Sequence, residues 1–104
     1  MEKEVLYSEI KEAVKSVMPG SKVLIYGSYA RNEQHGDSDI DIMVIVNATL
    51  LPWAMRKEIR YAIYALEIKH QIILSPKVLT ETEWNDRKHS SPFYESILEE
   101  GIVI

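Results

Sequence analysis

Residues 39–46, Asp-Ile-Asp-Ile-Met-Val-Ile-Val, form the strongest strand signal in the chain. Strand side chains alternate faces, so Asp39, Asp41, Met43 and Ile45 point one way and Ile40, Ile42, Val44 and Val46 the other. The two aspartates share a face, about 7 Å apart along the strand. Asp37 has the same parity if the strand begins that early. Two carboxylates so placed repel each other, and their tips can converge on one cation. Carboxylate oxygens suit Mg²⁺, which keeps several waters and also binds substrate phosphates. The bland alternative is a solvated strand end, because an isolated Asp-x-Asp is common.

The rest of the chain supplies layers for this strand. Glu2 to Val17 reads as an amphipathic helix with Leu6, Ile10, Val14 and Val17 in one stripe. Met18-Pro19-Gly20 stops it, and Lys22 to Tyr26 reads as a strand. Ser28 to Asn32 reads as a short helix capped by Ser28, followed by a turn at residues 34–38. Leu51 to Leu66 reads as a helix with Pro52 in its first turn and Trp53, Arg56, Ile59, Ile63 and Leu66 near one face. Lys69 to Leu74 reads as a third strand closed by Ser75-Pro76. Thr80 and Glu83 have capping-box spacing for a short helix over residues 80–87. Ser91-Pro92 opens a last helix, Gly101 ends it, and Ile102 to Ile104 are a final strand or a tail. No repeat, low-complexity tract or linker interrupts the order. The expected fold is a single α/β (α+β) domain over residues 1–104, a small mixed sheet flanked by helices.

Bulk properties narrow the function. The 104 residues suffice for one core. Twelve basic residues face sixteen acidic ones, a net charge of −4, with no basic run. That balance argues against nucleic acid as a partner. With no cysteine, disulfide and thiolate chemistry are excluded. No signal-peptide core or membrane-length apolar stretch occurs, and a cytoplasmic location is the expectation.

Gly27-Ser28 gives the aspartates a context. The pair sits where a strand feeds a turn, where backbone N–H groups and a hydroxyl can cradle a phosphate. Gly27 permits close backbone approach, and Arg31 can add a phosphate contact one turn later. A plain glycine turn with a serine cap and a surface arginine is the alternative. The glycine run and lysine of a P-loop are missing.

Gly27-Ser28, ten residues, then Asp39-Ile40-Asp41 resembles the signature of the minimal nucleotidyltransferases of the DNA polymerase beta superfamily. The wider spellings, Gly-Ser-x-Ala-Arg from Gly27 and Ser-Asp-Ile-Asp from Ser38, also match, and the resemblance spans about residues 21–74. It implies a mixed sheet with flanking helices. It further implies Mg²⁺-dependent transfer of a nucleoside monophosphate from ATP or another NTP to a hydroxyl or phosphate, with release of pyrophosphate. Gly27 and Ser28 would grip the phosphates, Arg31 would support the turn or the phosphates, and Asp39 and Asp41 would hold metal. Such chemistry needs charge neutralisation and alignment more than a covalent nucleophile.

The family usually adds a third acid on the following core strand. The expected strand here offers His70 and Gln71 but no acid, with Glu67 just before it. Three possibilities stay open: Glu67 reaches in, His70 serves as base or ligand, or the third acid is absent or comes from elsewhere. His35 and His89 lie in polar loops and read as solvated. The tail from Ser90 resembles small family members paired with HEPN-type toxin proteins. There the transferase acts as antitoxin, adenylylating its partner or blocking it by binding. Phe93 and Tyr94 suit either the core or a partner surface. Larger relatives carry a second domain to grip the acceptor, so a protein acceptor or a homodimer is the expectation. The competing function is a binding module that has lost catalysis. A small-molecule adenylyltransferase fragment is a third, disfavoured by the short chain.

Overall fold

The computed structural model describes residues 3–36 and 39–104. Met1 and Glu2, at the expected start of the first helix, and Asp37 and Ser38 lie outside the described residues. The elements run α1 (Lys3–Val17), β1 (Lys22–Tyr26), β2 (Ile40–Val46), α2 (Trp53–His70), β3 (Leu74–Thr80), α3 (Glu81–Arg87), α4 (Pro92–Glu100) and β4 (Ile102–Val103). The strands form one mixed sheet in the order β3-β2-β1-β4. β2 runs antiparallel to β1 and parallel to β3, while β4 adds antiparallel to β1.

The period-two pattern of β2 separates two cores. Ile40, Ile42, Val44 and Val46 pack with Val23, Ile25, Leu74 and Val78 against Leu6, Ile10 and Val14 of α1 and Ile59 and Ile63 of α2. Met43 and Ile45 pack on the other face with Leu24, Tyr26, Leu79, Trp84 of α3 and Ile97 of α4. β2 is therefore covered on both faces, which is why its apolar run continues beyond Asp41. Asp41 stands at the open end of the second face.

Four local expectations change. Among the described residues no helix forms between β1 and β2. Arg31 N–H donates to Gly27 O at 3.2 Å and Glu33 N–H to Ser28 O at 2.9 Å, but the turn stops at Asn32, whose φ is 57°. The second helix extends four residues beyond Leu66, to His70, and ends where Gln71 takes the left-handed conformation at φ 52°. The third strand consequently occupies Leu74–Thr80 rather than Lys69 to Leu74. Ser75-Pro76 lies inside it, not after it. β3 is an edge strand, which tolerates a residue without an N–H. Finally, Trp53 does not join the core stripe of α2. It is 69% exposed, under the Lys57 ammonium at 5.0 Å from its ring centre. Among the described residues no helix is long and apolar enough to cross a membrane.

Candidate active site

The site forms where β1 ends, β2 begins and β3 begins, three strand ends brought together by the sheet topology. Tyr26 pairs with Asp41 across β1 and β2, and Asp41 pairs with Ser75 across β2 and β3. Gly27 then turns the chain with φ +74°. A Cβ built on Gly27 would lie 2.3 Å from Asp41 Oδ2, so the carboxylate rests directly against the Gly27 backbone. Only glycine satisfies both the positive φ and that approach.

An open cavity of about 600 Å³ surrounds this point. Tyr26, Gly27 and Asp41 form its floor, and Leu74, Ser75, Pro76 and Lys77 of β3 one wall. Phe93, Ser96 and Glu100 of α4 form the opposite wall, with Arg31 and Tyr64 at the margins. Phe93 is held edge-on to Tyr26, ring centres 6.0 Å apart. The Lys77 ammonium lies 5.7 Å from the Phe93 ring centre. Gly101 allows α4 to end close to the sheet, because a Cβ there would meet Ile97 O at 2.5 Å and the Leu24 side chain at 3.1 Å.

Electrostatics at the floor follow from this packing. Partial burial, and then the neighbouring Asp39 charge, push the Asp41 carboxyl above its ordinary value, with Arg31 acting in the opposite sense. Burial, followed by the charges of Asp41 and Tyr94, pushes the Tyr26 hydroxyl up to about 12. Arg31 itself is engaged by Glu33 and by Glu100, each at 3.3 Å. Asp39 is exposed just ahead of β2 and Ser28 is half-buried in the turn. Among the described residues no three His, Cys, Asp or Glu side chains gather into a cluster.

The structure places Glu67 and His70 on α2, and neither is among the residues that line the cavity. Glu67 Oε2 accepts the Leu74 N–H at 2.8 Å and so anchors the entry into β3. His70 Nε2 pairs with the Glu9 carboxylate of α1, which Lys69 also binds at 2.6 Å. Hydrogen bonds from Lys69 and then His70 hold the Glu9 carboxyl below its ordinary range. The cavity-facing residues of β3 next to Asp41 are Ser75 and Lys77, and no residue of that strand is acidic. Sequence reasoning missed Tyr26, Tyr64, Ser75, Lys77, Ser96 and Glu100 as lining residues. Only Tyr26 had a local signal, its position directly before Gly27. Glu100 and Arg31 are 69 positions apart.

The description "Nucleotidyltransferase domain" belongs to the family model that matches residues 7–104. The chain belongs to the nucleotidyltransferase domain family. Two relatives of this nucleotidyltransferase domain come from Methanocaldococcus jannaschii. The protein named "Putative protein adenylyltransferase MJ0604" is 29% identical over 109 aligned positions, covering 100% of this chain and 99% of that one. "Putative protein adenylyltransferase MJ0141" is 26% identical over 79 positions, covering 74% and 79%. A solved structure described as "Crystal structure of the toxin-antitoxin with AMP-PNP" superposes with a TM-score of 0.64 at 21% identity, covering 92% of this chain and 69% of that chain. At that identity the likeness concerns the fold. A mixed sheet flanked by helices is what the nucleotidyltransferase domain was expected to have.

Proposed function

We propose that this nucleotidyltransferase domain transfers AMP from ATP to a hydroxyl of a partner protein, as the antitoxin-like half of a two-protein system with an HEPN-type toxin. The observation that carries the reading is the seat of Asp41. A carboxylate loaded by burial and by Asp39 is pressed against the glycine of a phosphate-type turn, inside an open cavity. The names of the M. jannaschii relatives support adenylyl transfer to protein.

Mg²⁺ suits this donor set. Asp39 and Asp41 offer hard oxygen ligands, and a cation beside them would favour the charged form of the Asp41 carboxyl, which burial first and the Asp39 charge second disfavour. Bound there, Mg²⁺ supplies neutralisation of the phosphate charge. The turn at Gly27 and Ser28 binds the β and γ phosphates through its backbone. Arg31 exchanges its half-exposed carboxylate partners for phosphate oxygens, at small cost because exposed ion pairs are weak. α4 forms the second wall that orients the acceptor. The acceptor oxygen bonds to the α-phosphorus, the α–β anhydride bond breaks, pyrophosphate leaves and the acceptor proton passes to water. Glu67 and His70 act through structure, fixing the start of β3 and joining α1 to α2.

A second reading is a binding-only antitoxin, favoured by the absence of any acid on β3. Incubation with α-labelled ATP and Mg²⁺, with and without the protein encoded beside it, separates the two. Label on the partner that disappears in Asp39→Asn is the expected result. A folded, tight, unlabelled complex supports binding alone.

A further inference from the structure

A second groove, of about 250 Å³, runs along the free edge of β3. Four cations line it: Arg56 and Arg60 of α2, Lys77 of β3 and Arg87 of α3, against the single carboxylate of Glu83. Lys77 lines this groove and the candidate active-site cavity alike, so the two adjoin at that residue. In a chain of net charge −4, that is a local reversal of sign.

Edge protection accounts for part of this. Charged side chains and proline blunt exposed strand edges. Arg56 donates to the edge carbonyl of Val78 at 2.7 Å and to Glu83 at 2.8 Å, and Pro76 has no N–H to offer. Those contacts also hinder addition of another strand. They leave Arg60 and Arg87 unexplained, because the two converge on the edge from helices on opposite faces of the sheet. Arg87 shares Glu83 at 3.6 Å, while among the described residues Arg60 and Lys77 have no ion-pair partner.

We propose that this groove binds an acidic segment of the acceptor protein beside the hydroxyl to be modified. The inference rests on the protein-acceptor reading and names what the acceptor must carry. From Ser75, level with Asp41, to Leu79 at the far end of the groove is four strand steps, roughly 13 Å. An extended peptide covers that length with about four residues. The acceptor's carboxylates therefore fall within about four positions of its reactive hydroxyl. Charge pairs at the rim of such a site raise the association rate and select partners.

The test reads binding, independently of transfer. A fluorescein-labelled Ser-Tyr peptide followed by four glutamates is titrated with the full chain by anisotropy, beside its four-glutamine counterpart and an oligouridylate of similar length. The expected result is preference for the glutamate peptide, weakening with salt, and a loss on the order of tenfold in R60E/R87E. R60E alone guards against a folding defect, since Arg60 has no ion pair to break and R87E sets a second carboxylate beside Glu83. Equal binding of the glutamate and glutamine peptides, or unchanged binding by folded R60E, overturns the proposal. So does tighter binding of oligouridylate, which would make the acceptor a polynucleotide. Peptide preference without label transfer leaves the groove standing and the transferase fallen. Label transfer with no peptide preference does the reverse.

Discussion

At the residue scale, Gly27 and Asp41 form one unit. Gly27→Ala puts a methyl group into the Asp41 carboxylate and strains a backbone at φ +74°. A loss of about 1–3 kcal/mol is expected in urea denaturation, because strain of that kind is held only by surrounding structure. Asp41 works the other way. Its folded-state proton affinity is raised, so the folded protein binds the proton more tightly than the unfolded chain. The penalty is absent below the ordinary carboxylate value, grows as pH rises through the folded value and is complete above it. Asp41→Asn should therefore raise the melting temperature at neutral pH without Mg²⁺ and have little effect in strong acid. It should also abolish the stabilisation by Mg²⁺ expected of the native chain. A variant that melts lower at neutral pH while keeping its Mg²⁺ response would contradict the assigned role.

At the element scale, the β3–α3 junction concentrates the polar contacts. Thr80 accepts the Glu83 N–H at 3.1 Å while Glu83 accepts the Thr80 N–H at 2.9 Å, and Arg56 reaches Glu83 from α2. The Thr80 backbone bond, then Arg56, hold the Glu83 carboxyl down at about 2. A depressed carboxylate contributes stability that is present above its unfolded value of 4.5 and lost as pH falls toward about 2. Glu83→Gln should lower stability at neutral pH, with the difference from wild type vanishing through that window. Because Asp41 contributes an opposite slope nearby, the comparison is between variants and not within the wild-type curve. The Glu67 bond makes a second forecast, at the opposite end of β3. Glu67→Gln should weaken the anchor at Leu74, read as faster amide exchange at the start of β3, while Asp41-dependent Mg²⁺ stabilisation persists.

At the scale of the whole molecule, α4 closes the second core and walls the cavity. These roles separate by residue. Ile97 is fully buried, and Ile97→Ala should cost about 2–5 kcal/mol. Phe93 is 44% exposed and makes T-shaped contacts with Tyr26 and Tyr94. Phe93→Ala should cost about 1 kcal/mol or less, given the modest value of aromatic pairs, yet weaken nucleotide binding by calorimetry. If nucleotide affinity is untouched, Phe93 does not contact the nucleotide.

Elements governed by near neighbours were legible in the sequence. The α1 stripe, the strands β1 and β2, the capping box at Thr80, the Ser91-Pro92 start and the Gly101 stop depend on residues a few positions apart. The fixed spacing of Gly27-Ser28 and Asp39-Ile40-Asp41 belongs with them, because one turn and one strand parity bring those residues to the same end of the sheet. The β3 boundary did not follow from neighbours. Ile68, Ile72 and Ile73 favour a strand locally, but Glu9 of α1 gathers Lys69 and His70 at the end of α2, and Glu67 takes the Leu74 amide. Those contacts span about sixty positions in the first case, and no local pattern encodes them. The cavity wall, the Lys77 position and the cation-lined edge likewise arise where α2, β3, α3 and α4 converge. Local hydrogen bonding and periodicity wrote the elements and the signature into the chain. Long-range packing alone decided which side chains share a cavity, because that depends on how helices at opposite faces meet one sheet edge.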